Sequence, residues 1–213
     1  MPRKSDHRTR TGARRRARTE ERILEAALHV FAAKGSSAPV IDDFIKAAGI
    51  ARGTFYNYFR STDELFDATA AWLLNDLSQS IDDALEGITD PVLRLGMGIR
   101  LGLRKAEQDR PWAAFMSKFL HGDDALAGSR GERDLRRALR LKQLHAPSAD
   151  AMRDLLFGTW RQAVGRIASH PELSNYADGI ATLMLRGLAV DRARIQEILD
   201  RPLPQMRATR TIA

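Results

Sequence analysis

The sequence contains no cysteine, which excludes disulfide bonds, zinc sites with thiolate ligands and cysteine nucleophiles. It also lacks any apolar run close to the roughly 18 residues that a membrane-spanning helix needs. The charged residues at the amino terminus are not followed by an apolar stretch, so we do not expect a secretory signal peptide. These absences favour a cytoplasmic protein that has no membrane partner.

The positive charge of the chain is concentrated at its start. The chain holds 34 Lys and Arg against 27 Asp and Glu, a formal net charge of +7. Residues 1–18 contain eight of the bases and a single acid, so the other 26 bases and 26 acids balance each other. We predict that 1–18 forms a disordered basic arm of the kind that meets nucleic acid or an anionic surface. The alternative is a terminal segment that serves only solubility.

Helical periodicity runs through most of the chain after the arm, and no segment shows sustained alternation with period two. Thr19 is suited to cap the first helix, which stops before Gly35. A second helix ends at Gly49, where the turn needs a residue that tolerates positive φ. Ser61 and Glu64 match a capping box that opens a long fourth helix. The chain is therefore predicted to be all-α, with later helices at 91–109, 111–126, 131–144, 148–169, 172–189 and 191–200.

Three short helices separated by a glycine turn are typical of a helix-turn-helix unit. The third helix, predicted at 51–58, would enter the major groove of DNA with its first side chains against base edges. Arg52 can make a bidentate contact to guanine, and Thr54 can meet a polar edge or the thymine methyl group. The third helix is therefore predicted to be the recognition helix.

The aromatic residues of this segment divide into two groups. Phe55 and Phe59 lie four residues apart and are predicted to face the core, whereas the hydroxyls of Tyr56 and Tyr58 are suited to phosphate oxygens. The arginines of the arm are predicted to reach the flanking backbone or the adjacent minor groove. The complete set of predicted DNA contacts is Arg52, Gly53, Thr54, Tyr56, Asn57, Tyr58 and Arg60, together with Arg14, Arg15, Arg16 and Arg18.

Residues 19–66 closely resemble the DNA-binding domain of the tetracycline-repressor (TetR) family of bacterial transcriptional regulators. The stretches "ILEAALHVFAAKG" and "AAGIARGTFYNYFRSTDELF" and the spacing between them carry the resemblance. It implies a helix-turn-helix domain over 19–66, followed over 67–213 by a larger helical domain for effector binding and dimerisation. It also implies that Thr54 contacts a base or a phosphate and that Tyr56 and Tyr58 contact phosphates.

The segment departs from the family pattern at several positions. Ala51 stands where serine is common, so the recognition helix lacks a side-chain N-cap. Pro39 and Val40 offer no hydroxyl at the start of the second helix, and Thr62 replaces a usual lysine. Residues 19–66 hold five bases and seven acids. We therefore expect the basic arm to supply part of the affinity for a polyanion.

The sequence offers no set of residues for catalysis, a cofactor or a metal. The five histidines are scattered, and no phosphate-binding glycine loop or nucleophile elbow is present. The stretch "HGDD" at 121–124 has the residue types of a metal site, but it lies in 121–134, which reads as an exposed connection. We predict that the protein is not an enzyme.

The middle helices carry large, adaptable side chains that are suited to an effector pocket, with ordinary core packing as the alternative for each. These residues are Met97, Leu101, Trp112, Phe115, Met116, Phe119 and Trp160. The helices at 148–169 and 172–189 have broad apolar faces with small residues. The resemblance implies that these two helices pair with their copies in a homodimer.

These observations predict a transcriptional regulator that binds DNA in a sequence-specific manner. Repression is the mode most often found in the resembled family, with release from a palindromic operator by a small-molecule effector that the sequence does not identify. Two alternatives stay open. One is an architectural DNA-binding protein that relies on the charge of the arm, and the other is a helical module whose effector is another protein.

Overall fold

The computed structural model describes residues 4–34, 39–119, 129–144, 148–170, 172–173 and 175–211. Every regular element among these residues is a helix, which confirms the all-α prediction. None of the described helices is long and apolar enough to cross a bilayer. The helices are α1 (Lys4–Lys34), α2 (Ile41–Ala48), α3 (Arg52–Tyr56), α4 (Thr62–Ala84), α5 (Pro91–Gln108), α6 (Arg110–Phe119), α7 (Arg130–Arg140), α8 (Ala149–Ser169), α9 (Tyr176–Gly187) and α10 (Arg192–Asp200).

The first helix is longer than its capping signal indicated. It begins at Lys4, so the prediction of a disordered arm is wrong for the part of 1–18 that the structure describes. Thr19 is not an N-cap, because its hydroxyl donates to the carbonyl of Arg15 at 3.0 Å, a bond that threonine makes inside helices. Residues 13–18 consist only of alanine and arginine, which are strong helix formers. Charge composition indicated disorder, whereas intrinsic propensity favours the continuation of a helix.

The chain forms two compact units, one ending at Trp72 and one running from Leu73 to Thr211. The first unit packs α1, α2 and α3 around a small core. Ile23, Phe44 and Phe55, one from each helix, are completely buried. Phe59 is also buried, so both phenylalanines of the recognition segment lie in the core, as their spacing predicted.

Gly49 forms the turn between α2 and α3. Its left-handed backbone, with φ 59° and ψ 45°, is readily adopted by glycine and strained for most other residues. The N–H of Ile50 then donates to the carbonyl of Ile45 at 3.2 Å and closes the end of α2. The structure thus confirms the predicted role of this glycine.

The start of α4 confirms one half of the predicted capping box. The N–H of Glu64 donates to the hydroxyl oxygen of Ser61 at 3.1 Å. The carboxylate of Glu64 accepts from the N–H of Arg60 at 2.6 Å rather than from that of Ser61. The bond that a capping box would make to the N–H of Ser61 is thus made one residue earlier, to the N–H of Arg60.

The second unit is built around α5, whose residues are buried along most of its length. Helices α6, α7, α8, α9 and α10 all pack against it. Two predicted helices were too long at one end. α7 ends at Arg140 instead of residue 144, and Lys142 has a left-handed φ of 55°. α9 begins only at Tyr176, because Asn175 has a left-handed φ of 55°. The end of the helix predicted at 111–126 lies outside the described residues.

Arg100 and Asp76 attach the segment that follows α10, residues 201–211, to the rest of the second unit. The buried guanidinium of Arg100 donates to the carbonyls of Ile198 at 2.8 Å and Arg201 at 2.9 Å. Asp76 on α4, with a side chain only 3% exposed, accepts from the guanidinium of Arg207 at 3.0 Å. Its carboxylate also accepts from the backbone N–H and the guanidinium of Arg210, at 2.7 and 2.9 Å.

Candidate DNA-binding surface and ligand cavity

Helix α3 presents a polar outer face because its inner face is fixed by Phe55. The side chain of Arg52 is 59% exposed and Tyr56 is 47% exposed, while Thr54 is half-buried beside them. A Cβ added to Gly53 would meet nothing within 4 Å, so no contact inside the protein covers this position. Arg52, Gly53 and Tyr56 are therefore accessible, and Thr54 is partly so.

The helix begins without a side-chain cap, since Ala51 supplies no hydrogen bond. Its first charged group is instead engaged by α2, where Asp42 forms an ion pair with the guanidinium of Arg52. Both side chains are largely exposed, so the pair contributes little to stability. Asp42 occupies guanidinium N–H donors of Arg52 that a guanine edge would use. A bidentate contact between Arg52 and DNA therefore requires that this ion pair break, or that the guanidinium bind Asp42 and the base at the same time.

Asp43 caps the start of α2 through its side chain. Its carboxylate accepts from the N–H of Val40 at 2.8 Å and pairs with Lys34 at 2.8 Å. The hydrogen bond from Lys34 and then that from Val40 lower the pKa of Asp43 below its ordinary value. This contribution to stability is present above the ordinary pKa of an aspartate and is lost as the pH falls through the lowered one.

The basic part of α1 contacts the turn that follows α3. The guanidinium of Arg16 lies 5.1 Å from the ring centroid of Tyr58 and donates to the carbonyl of Asn57 at 3.4 Å. In return, the hydroxyl of Tyr58 donates to the carbonyl of Arg16 at 3.4 Å. The structure thus brings Arg16 together with two of the predicted DNA contacts. The remaining side chains of that set, Arg14, Arg15, Arg18 and Arg60, are exposed.

The second unit holds a cavity of about 120 Å³ between α4, α5, α7 and α8. Much of its wall is apolar, with Leu77 and Ile81 from α4, Ile99 from α5, and Leu156 and Trp160 from α8. A neutral molecule with a flat apolar body can be buried in such a space.

The opposite wall of the cavity is charged. Arg94 donates to the carboxylates of Asp82 at 2.9 Å and Asp134 at 3.3 Å, and to the carbonyl of Leu85 at 2.6 Å. Arg130 lies 3.4 Å from Asp82. Burial raises the pKa of Asp134, although the charges of Arg94 and Arg130 oppose the rise. Both carboxylates thus line the cavity and offer acceptors to a ligand that carries hydroxyl groups.

Among the described residues that were predicted to bind an effector, only Trp160 lines this cavity. The others are buried and pack elsewhere in the second unit, and the side chain of Phe119 lies outside the described residues. Sequence reasoning missed Asp82, Arg94 and Asp134, because charged residues on a helix normally indicate a solvated face. The described residues that belong to the core rather than to this cavity are Met97, Leu101, Trp112, Phe115 and Met116.

Two large apolar side chains remain exposed on α8 and α9. Leu155 is 38% exposed and Leu183 is 60% exposed. Leu155 also covers Gly187, where an added Cβ would lie 2.6 Å from its Cδ2 atom, so the glycine allows the close approach of these helices.

In the described part of the chain, no group of three or more acidic or histidine side chains is suited to hold a metal, and "HGDD" at 121–124 lies outside it.

Comparison with known proteins finds a family model and several relatives that are similar to the first unit. Residues 23–69 match the model "Bacterial regulatory proteins, tetR family". The chain is 43% identical over 70 residues to the uncharacterized HTH-type transcriptional regulator YvdT of Bacillus subtilis, covering 33% of this chain and 36% of that protein. It is 25% identical over 149 residues to the HTH-type transcriptional regulator BetI of Brucella anthropi, covering 68% and 72%. The match thus spans about a third of the length of YvdT.

A longer likeness is found with a solved structure. The crystal structure of RolR in complex with the ligand resorcinol superposes with a TM-score of 0.70 at 26% sequence identity. The superposition covers 91% of this chain and 99% of RolR. The second unit therefore has its counterpart in a structure that was solved with a single-ring aromatic ligand.

Proposed function

We propose that the whole protein is a sequence-specific transcriptional regulator of the tetR type, on the basis of the match of residues 23–69 to the model of that family. The face of α3 is the observation that carries the proposal. Phe55 fixes the helix in the core, while Arg52 and Tyr56, one helical turn apart, stay exposed and Thr54 is partly exposed. These are residue types that read base edges and bind phosphates in a major groove.

We propose further that the protein acts as a homodimer through α8 and α9. The support is the exposure of Leu155 on α8 and of Leu183 on α9, because exposed apolar side chains on adjoining helices favour association. A two-fold dimer presents two recognition helices to successive major grooves, about 34 Å apart. A single five-residue helix reads few bases, so two half-sites are needed for useful specificity.

Selection of bound duplexes from a random DNA library tests this function. We expect enrichment of one palindromic sequence whose half-site centres lie about one helical turn, or a multiple of it, apart. The matched control is a selection with Arg52→Ala, which should lose preference at one position of each half-site. Uniform recovery of all sequences by the native protein would support an architectural role instead and overturn the proposal.

The cavity of the second unit is our proposed effector site. Its volume of about 120 Å³ is similar to the ~150 Å³ apolar cavity that holds benzene in an engineered protein. A single aromatic ring would pack against Trp160, and its hydroxyl groups would donate to Asp82 or Asp134. RolR was solved with resorcinol, which has this chemistry. We therefore propose a monocyclic phenol as the effector, which would shift the population towards a state with low DNA affinity.

Titration of the complex between the protein and its selected DNA with resorcinol, followed by fluorescence anisotropy of the DNA, tests this assignment. We expect release by the native protein and at least a tenfold weaker response in Gly98→Leu, because Gly98 lines the cavity and the new side chain would fill it. Met97→Leu is the control. It alters a buried neighbour outside the cavity with little change in volume, so its response should be native. Loss of response in Met97→Leu alone would instead favour the pocket predicted from the sequence.

A further inference from the structure

The arginines near the start of α1 do not share one side of the helix. A helix turns by about 100° per residue, so Arg16, seven residues before the buried Ile23, points within about 20° of the same direction. Arg14 and Arg18 lie two residues to either side and therefore point about 160° away from Arg16. Only Arg16 among these three continues the face of α1 that packs in the core.

The contacts of Arg16 agree with this placement. Its guanidinium lies over the ring of Tyr58 and donates to the carbonyl of Asn57, and Tyr58 donates back to the carbonyl of Arg16. A cation over an aromatic face is attracted by the electron-rich ring. Three contacts therefore join the basic part of α1 to the end of the recognition helix.

We propose that Arg16 is a positioning residue. It docks α1 on Tyr58 and so holds Arg14, Arg15 and Arg18, which stay exposed on the other sides of the same helix, as a preformed cationic surface for DNA phosphates that flank the site of the recognition helix. This inference rests on the proposed DNA-binding function. Docking reduces the ordering cost that an undocked segment meets on binding, and it places positive charge beside a helix-turn-helix segment that has more acids than bases.

The salt dependence of DNA binding distinguishes an Arg16 that is docked on Tyr58 from an Arg16 that contacts a DNA phosphate directly. Each phosphate neutralised by a lysine or arginine contributes about 0.9 to the slope of log affinity against log salt. Tyr58→Leu removes no charge, yet it removes the ring that holds Arg16. We expect the slope to fall in magnitude by about one to two, because the undocked arginines neutralise fewer phosphates, and the affinity at 0.15 M salt to fall about tenfold.

Matched variants make the result specific. Tyr56→Leu alters the neighbouring exposed tyrosine and should weaken binding without any change in slope. Tyr58→Phe keeps the ring and should retain a nearly native slope. Tyr58→Phe also serves as the folded reference if Tyr58→Leu is unstable. In that case Arg16→Gln tests the same docking, and it should lower the magnitude of the slope by more than the ~0.9 that one phosphate contact contributes. An unchanged slope in Tyr58→Leu, with a loss of only ~0.9 in Arg16→Gln, would overturn the proposal and make Arg16 an ordinary phosphate contact.

Amide hydrogen exchange at residues 11–18 in the DNA-free protein tests the docking on its own. We expect exchange to accelerate severalfold in Tyr58→Leu and to stay native in Tyr56→Leu. Equal exchange in both variants would contradict the inference even if the protein binds an operator. Conversely, faster exchange in Tyr58→Leu with no operator found by selection would leave the docking supported and the proposed function refuted.

Discussion

Replacing Arg94 by methionine is expected to lower the free energy of unfolding by about 3–5 kcal/mol at neutral pH. The side chain of Arg94 is 5% exposed and pairs with Asp82 and Asp134. Methionine restores some of the apolar volume but leaves two carboxylates in the cavity wall with only the more exposed and more distant Arg130, 3.4 Å from Asp82 and 4.0 Å from Asp134. Breaking a buried ion pair by removing one partner is destabilising in this range because a charge remains buried without compensation.

The loss in Arg94→Met should depend on pH in a definite direction. Burial already raises the pKa of Asp134 in the folded protein, so the folded state binds more protons than the unfolded state between the ordinary pKa and the raised one. Stability therefore falls as the pH rises through this interval. Without the opposing charge of Arg94 the pKa rises further. The deficit of Arg94→Met should thus be greatest near neutral pH and shrink on acidification, as Asp134 becomes protonated.

Urea denaturation of native protein and variant at several pH values measures both effects. Arg104→Met is the matched control, because this arginine lies on the same helix but is 45% exposed and pairs only loosely with Glu107, at 3.6 Å. Its stability should change by less than ~0.5–1 kcal/mol at every pH. A deficit of equal size in both variants, or one independent of pH, would refute the role assigned to Arg94.

Phe55→Ala and Tyr56→Ala should separate folding from DNA binding at adjacent positions of α3. Phe55 is completely buried, so its truncation should destabilise the first unit by about 3–5 kcal/mol. DNA binding would then be lost because the recognition helix no longer forms. Tyr56 is 47% exposed, so its truncation should alter stability by no more than ~0.5 kcal/mol. It should nevertheless weaken operator binding about tenfold, through loss of a phosphate contact.

Chemical denaturation paired with anisotropy titration of the operator gives both quantities for each variant. In Phe55→Ala, operator binding should fall in parallel with the folded fraction of the first unit. In Tyr56→Ala, the two measurements should diverge. If Phe55→Ala stayed fully folded, the anchoring of α3 by this ring would be wrong. If Tyr56→Ala bound the operator as tightly as the native protein, this tyrosine would not belong to the interface.

The first unit was largely predictable because its signals are local. Gly49 ends α2 through its own backbone, and Phe55 and Phe59 are buried by a spacing that is visible in the sequence. The charge of residues 1–18 predicted disorder, whereas the described part of this segment is helical. A high density of positive charge is common in disordered segments. Charge alone does not reflect helix propensity, however, and alanine and arginine readily extend a neighbouring helix.

The cavity was not predictable in the same way. Large apolar side chains mark a core, but their identity does not reveal which of them border a void. Met97 and Trp160 are both large apolar residues at helical positions in the sequence, yet of the two only Trp160 lines the cavity. The charged wall depends on pairs such as Arg94 and Asp134, which are 40 residues apart. Nothing local to either residue signals such a pairing.

The attachment of residues 201–211 to Asp76 has a consequence for synthesis of the chain. Arg207 lies 131 residues after Asp76 and Arg210 lies 134 residues after it. The ribosome must therefore add all of this length before the buried carboxylate can meet its partners. The first unit can fold while translation continues, whereas the second can close only after Arg210 has emerged. Until then the apolar surface of the unfinished second unit stays exposed, and exposed surface of this kind favours aggregation.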